Sequence, residues 1–162
     1  MNRKDKENYY LDIAKTVLER GTCLRRNYGA IIVKNDQIVS SGYSGAPRGR
    51  KNCSDLGSCI RESMKIPRGE RYEICRSVHA EANAIIHASR ADMIGATLYL
   101  VGKDVISGEY VKNASSCSMC KRLIINSGIK KVIIRNNETD YSVVDVNDWI
   151  LNDESLTGKF GY

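Results

Sequence analysis

The sequence predicts a single α/β domain in which one mixed sheet is covered by helices. Segments of helical and strand periodicity alternate along the chain, and no linker, repeat or low-complexity stretch divides it. A length of 162 residues supplies one hydrophobic core and little more.

Tyr10, Ile13, Ala14, Val17 and Leu18 recur at helical spacing, and Gly21 stops that helix. Two apolar strands follow, 29–33 and 38–42, joined into a β-hairpin by the turn Lys34-Asn35-Asp36-Gln37. Next come the glycine-rich loop Gly42-Tyr43-Ser44-Gly45-Ala46-Pro47-Arg48-Gly49 and an irregular, cysteine-containing excursion to about Cys75. From His79 an Ala-rich helix is expected to run to Arg90. Residues 96–101 read as a strand, and 102–116 as an insertion with a hairpin turning at Ser107-Gly108. A helix opens at Cys117 and ends at Gly128, a residue suited to a left-handed C-terminal stop. Residues 131–135 form a strand, 141–144 a fifth strand, and 146–151 a short final helix.

Composition narrows the function. There is no apolar run long enough to span a membrane. The first seven residues are charged and lack the apolar stretch of a signal peptide, so a cytoplasmic location is expected. In a reducing compartment, six cysteines read as metal ligands rather than disulfides. A net charge of +6 suits a small anionic substrate and is too weak to argue for duplex nucleic acid. Trp149 and Phe160, both near the C-terminus, leave no aromatic stripe for single strands.

The chemistry sits in two short motifs, His79-Ala80-Glu81 and Cys117-Ser118-Met119-Cys120. Residues three apart on a helix share a face, so Cys117 and Cys120 can grip one ion together with His79. Three protein ligands leave zinc a fourth position for water, the mark of a catalytic site. Glu81 lies two residues past the imidazole, close enough to take a proton from that water without ligating the metal. A non-catalytic zinc module would need no such carboxylate. His87 is eight residues on, about 12 Å along a helix, and reads as a surface or interface histidine.

This pattern resembles the zinc-dependent nucleobase deaminases, whose signature is His-x-Glu followed by Pro-Cys-x-x-Cys. Ser116 stands where proline is usual, and Ser115 or Ser116 can cap the same helix start. Gly29-Ala30-Ile31-Ile32-Val33, Gly42-Tyr43-x-Gly45-x-Pro47-x-Gly49, His79-Ala80-Glu81-x-Asn83-Ala84 and Ser127-Gly128-Ile129-Lys130-Lys131-Val132 occur in the order seen in deoxycytidylate deaminases. The resemblance implies a three-layer α/β/α, cytidine-deaminase-like fold with a five-stranded mixed sheet. It implies one deaminase domain over 1–162, with insertions at about 50–75 and 102–116. The implied reaction converts dCMP to dUMP and ammonia for thymidylate supply, with zinc on His79, Cys117 and Cys120 and Glu81 as proton shuttle.

By the same resemblance the glycine-rich loop lines the nucleotide pocket, with Ser44 where asparagine is usual. Arg25, Arg26, Arg48, Arg50 and Lys51 supply cations nearby, of which Arg26 and Arg48 are the expected substrate contacts, with Ser44 and Tyr141. Cys23, Cys53, Cys59 and Cys75 are left once the first zinc is assigned, and four thiolates would make a closed second, structural zinc site. Related deaminases carry a second zinc with ligands resembling Cys23 and Cys53; the alternative is a set of buried free thiols. The resemblance further implies a homo-oligomer, a hexamer, with dCTP and dTTP as effectors. Another nucleoside, nucleotide or tRNA base remains the alternative substrate, because residues 102–116 sit near the pocket mouth. A non-catalytic zinc-stabilised binding module is the last alternative.

Overall fold

In a computed structural model that describes residues 1–157, five strands form one sheet in the order β2-β1-β3-β4-β5. The strands are β1 (Arg26–Lys34), β2 (Gln37–Tyr43), β3 (Thr97–Asp104), β4 (Lys131–Arg135) and β5 (Tyr141–Asp145). Only the β3–β4 pair is parallel, which makes the sheet mixed. Side chains alternate across it. Ile31, Val33, Tyr99, Val101 and Ile133 face α1 (Lys6–Leu18) and its Tyr10, Leu11, Ala14 and Leu18. Ala30, Ile32, Leu98, Leu100, Val132 and Ile134 face the opposite layer. That layer holds α4 (Ala80–Ile86), α5 (Arg90–Met93), α6 (Ser118–Ser127) and α7 (Val146–Leu151). The expected three-layer fold is present.

Glycines set the depth at which two helices lie on the sheet. A Cβ at Gly29 would stand 2.2 Å from the Ala14 carbonyl oxygen, and one at Gly42 2.4 Å from that of Ala80. Helix α1 therefore rests directly on β1, and α4 directly on β2. Arg135, fully buried at the end of β4, ties α1 from the other side. Its guanidinium donates to Asp12 Oδ1 at 2.6 Å and to Asn8 Oδ1 at 2.8 Å.

Three elements depart from the sequence reading. The hairpin turn narrows to Asn35 and Asp36, both left-handed (φ 50° and 59°), because the strands run on to the pair Lys34–Gln37. The His79 helix ends at Ile86, and Arg90 does not close it. Ser89 instead caps a new short helix by accepting from the Asp92 N–H at 3.1 Å. Gly102–Asp104 belong to β3 rather than to the insertion, since β3 pairs with β1 as far as Asp104–Arg26. The insertion then turns back through residues 105–108, and Tyr110 bridges Lys103. Phe160 lies outside the described residues.

The excursion before Cys75 folds as two single-turn helices, α2 (Cys53–Leu56) and α3 (Ile60–Ser63), and a 3-10 turn, Tyr72–Ile74. None is long enough to show periodicity in the sequence.

Candidate active site

His79 is the N-cap of α4 and Cys117 the N-cap of α6, so each metal-ligating motif begins where its helix begins. Cys120 falls on the first turn of α6, facing back toward Cys117. The Gly45–Val78 bridge holds the chain entering α4, with N–H to carbonyl distances of 3.2 and 2.7 Å. Asn83 Nδ2 donates to the Tyr43 carbonyl at 2.8 Å and clamps the same corner.

His79 Nδ1 lies 3.4 Å from both Cys117 Sγ and Cys120 Sγ. Tetrahedral zinc, with Zn–S about 2.3 Å and Zn–N about 2.0 Å, separates nitrogen from sulfur by roughly 3.5 Å. The three donors therefore fit one zinc ion. Among the described residues they are the one group of three or more His, Cys, Asp or Glu whose ligand atoms lie within 4.8 Å of one another.

The donors are electrostatically matched. The hydrogen bond from Cys120 holds the Cys117 thiol well below its ordinary range, with help from His79 and against burial. Cys120 is pushed up by its charged neighbour Cys117 and by burial. Burial alone would lower His79, but Cys117 and then Cys75 push it up to about 10. A cation at the triad would take the place of the imidazolium proton. Glu81, 5% exposed, points into the same space; burial pushes its carboxyl up, opposed by His79.

These groups open into a cavity of about 320 Å³. His79, Glu81 and Cys117 form its floor. Arg25, Arg26, Arg61, Arg68 and Lys112 form a cationic wall in which Glu81 is the single acidic group. The Arg25 guanidinium is paired with Glu62 at 3.1 Å. Tyr28 adds a phenol that burial pushes up to about 12, so it stays neutral.

The predicted substrate contacts divide. Arg26 and Ser44 line the cavity; Arg48 and Tyr141 do not. Ser44 Oγ accepts from the Tyr28 N–H at 3.1 Å, which leaves its own hydroxyl proton for a ligand. Arg48 instead lies 3.0 Å from His87 Nε2, while His87 Nδ1 lies 3.2 Å from the Ser41 carbonyl. Tyr141 stands at the start of β5, on the edge of the sheet. Sequence reasoning missed Arg61, Arg68, Tyr72 and Lys112, which come from the two insertions. Of the remaining cysteines, Cys23, Cys59 and Cys75 line the cavity, and Cys53 is buried with its sulfur 4.0 Å from Ser77 Oγ.

A helix-layered mixed sheet carrying a His-Cys-Cys triad beside a buried carboxylate defines a metal-dependent hydrolase of small polar substrates. Residues 4–136 match the cytidine and deoxycytidylate deaminase zinc-binding region. The chain is 37% identical to the deoxycytidylate deaminase of Mycobacterium phage D29 over 138 residues, 82% of this chain and 96% of that protein. It is 30% identical to the Schizosaccharomyces pombe deoxycytidylate deaminase over 129 residues, 78% of this chain but 36% of that longer protein. The fold is shared with the dCMP deaminase of cyanophage S-TIM5, solved with dCMP and dUMP (TM-score 0.55, 24% identity, 85% of each chain). The chain belongs to the zinc-dependent cytidine and deoxycytidylate deaminase family.

Proposed function

We propose that this chain hydrolyses dCMP to dUMP and ammonia. The observation that carries the reading is one cavity holding the triad, the buried Glu81 and a cationic wall. His79, Cys117 and Cys120 would hold the zinc, which when bound supplies Lewis acidity toward water. Glu81 takes the proton released as the water oxygen attacks C4 and passes it to N3 of the pyrimidine. It then helps the amine leave, so one water enters and one ammonia departs.

Arg26, Arg68 and Lys112 are the cations we assign to the 5′-phosphate, with Ser44 donating to the sugar. The wall they form carries the anion preference. Arg48 and Tyr141 have no part in this assignment. Both insertions contribute cavity residues, which supports one deaminase domain over the whole chain rather than a core with ornamental loops.

A second zinc on Cys23, Cys53, Cys59 and Cys75 is supported by three of these thiols lining one cavity and by the charges of all three reaching the buried Cys53; no three of the four sulfurs lie within 4.8 Å of one another, so binding would draw them together. Burial, and after it the charges of Cys23, Cys75 and Cys59, push the Cys53 thiol up, against a hydrogen bond from Ser77. Homo-oligomerisation, with a hexamer and dCTP and dTTP as effectors, rests on the family resemblance. A cytoplasmic setting suits six unpaired thiols. No helix of the described residues is long and apolar enough to cross a membrane.

Ammonia release is measured on purified protein with dCMP, CMP, dCTP, deoxycytidine, cytidine and tRNA. The expected result is the highest kcat/KM on dCMP. Equal efficiency on dCMP and deoxycytidine would remove the phosphate assignment, and a preference for cytidine or tRNA would overturn the substrate.

A further inference from the structure

We propose that Arg61 is a positioning residue that orients the zinc ligand His79 through the ring of Tyr72. Arg61 lies on α3 within the first insertion and is only 3% exposed. Its Nε and Nη2 donate to the Glu70 carbonyl at 3.2 and 2.7 Å, and Nη2 also donates to the Pro67 carbonyl at 3.0 Å. Those bonds close residues 61–70 into a loop around a fixed guanidinium. The guanidinium carbon sits 4.3 Å from the centre of the Tyr72 ring. The Tyr72 ring in turn meets the His79 imidazole edge to face, with centroids 5.5 Å apart and planes at 77°. The same imidazole presents Nδ1 to both cysteine sulfurs at 3.4 Å. The three side chains make a continuous column from the insertion to the metal site.

The column has a physical reason to exist. Tyr72 stands on a single 3-10 turn, preceded by Arg71 in the left-handed region (φ 51°), and its ring is shared between the guanidinium and the imidazole. Among the described residues no carboxylate forms an ion pair with Arg61. Burying such a cation costs stability that carbonyl bonds and a π face only partly offset. Metal-ligating imidazoles are oriented by their outer contacts, and losing an outer hydrogen-bond partner costs about 10- to 100-fold in metal affinity, the scale against which a ring contact is set here. An edge-to-face ring held by a planar cation performs that task here. Arg61 also lines the cavity, so a direct contact with the substrate phosphate is the competing explanation.

The inference rests on the assignment of zinc to the triad, and the experiment separates the two. Zinc affinity is measured on the purified full chain with a competing chelator, and His79→Ala marks which ion belongs to the triad. Tyr72→Ala and Arg61→Ala should each weaken that ion about 10- to 100-fold, and the double variant should be no worse than Tyr72→Ala. Tyr72→Phe, which keeps the ring, should bind zinc like the parent. Activity on dCMP and on deoxycytidine should fall in parallel in Arg61→Ala. Arg61→Gln, which keeps one amide donor near the place of Nε and removes the charge and the planar fork, should weaken zinc likewise, and an unchanged far-UV spectrum separates that loss from simple misfolding. Parental zinc affinity in Arg61→Ala or Arg61→Gln, with KM raised for dCMP alone, overturns the inference in favour of phosphate contact. Equal loss in Tyr72→Phe and Tyr72→Ala overturns it as well. If His79→Ala removes no zinc, the triad assignment falls and this inference falls with it.

Discussion

The proposed reaction asks two things of Glu81: a carboxylate beside the attacked carbon, and separation from the metal donors. Glu81 meets both by following His79 by two positions at the start of α4. Replacing it with glutamine keeps shape and burial and removes the proton carrier. Glu81→Gln should lower kcat by at least about 10²–10⁴-fold, in the range of lost acid–base catalysis, while metal analysis finds the triad zinc unchanged. Parental ammonia release in that variant would disprove the role. The triad and Glu81 were legible in the sequence because each pair is fixed by the local geometry of one helix start. Of the cavity cations, Arg25 and Arg26 were legible too, while Arg61, Arg68 and Lys112 were not. Arg48 sits beside the glycine-rich loop in sequence, yet its guanidinium turns outward to His87. Arg61 lies on a single-turn helix and Arg68 and Lys112 in turns, too short for sequence periodicity to show which way a side chain points.

Helix α1 is fastened to the sheet by contact at Gly29 and by charge at Arg135. The Asp12 carboxyl, although partly desolvated, is held below its ordinary 3.8 by hydrogen bonds from Lys4 and Arg135. A depressed carboxylate contributes its full stability above the unfolded value and loses it as pH falls through the folded one. Asp12→Ala leaves Arg135 buried without its anion. Breaking a fully buried pair costs about 3–5 kcal/mol; with Asp12 38% exposed, about 2 kcal/mol is expected at neutral pH. Chemical denaturation should show that gap narrowing below about pH 3.8. A gap that stays constant from pH 7 to pH 3 would mean that Asp12 acts by packing. Among the elements, 131–135 and 146–151 were read with the bounds observed, because a short apolar run between Lys131 and Arg135 marks the first and the Asp145 cap marks the start of the second. Residues 102–104 escaped because Gly102 resembles a breaker. In the fold its missing side chain makes room for the Tyr28 ring, whose atoms would lie 2.4 Å from a Cβ there.

At the scale of the whole molecule, the two insertions line one cavity and supply three of its five cations, Arg61, Arg68 and Lys112. If four thiolates fasten the first insertion, metal analysis should give two zinc ions per chain. Cys59→Ser should then lose one ion and melt at a lower temperature while the triad keeps its own. One zinc in a fully active, metal-replete chain would refute the second site. The single parallel pair in the sheet has a consequence for the order of assembly. β1 and β2 are joined by a two-residue turn, and such hairpins close in roughly 1–10 μs. β3 cannot meet β4 until the intervening chain has crossed over the sheet, a slower event set by loop-closure entropy. Cys117 and Cys120 ride inside that crossover, and His79 lies outside it. An ion shared by His79 and those two cysteines would therefore fasten the crossover to α4, and a chain that holds it must already have packed α6 against α4.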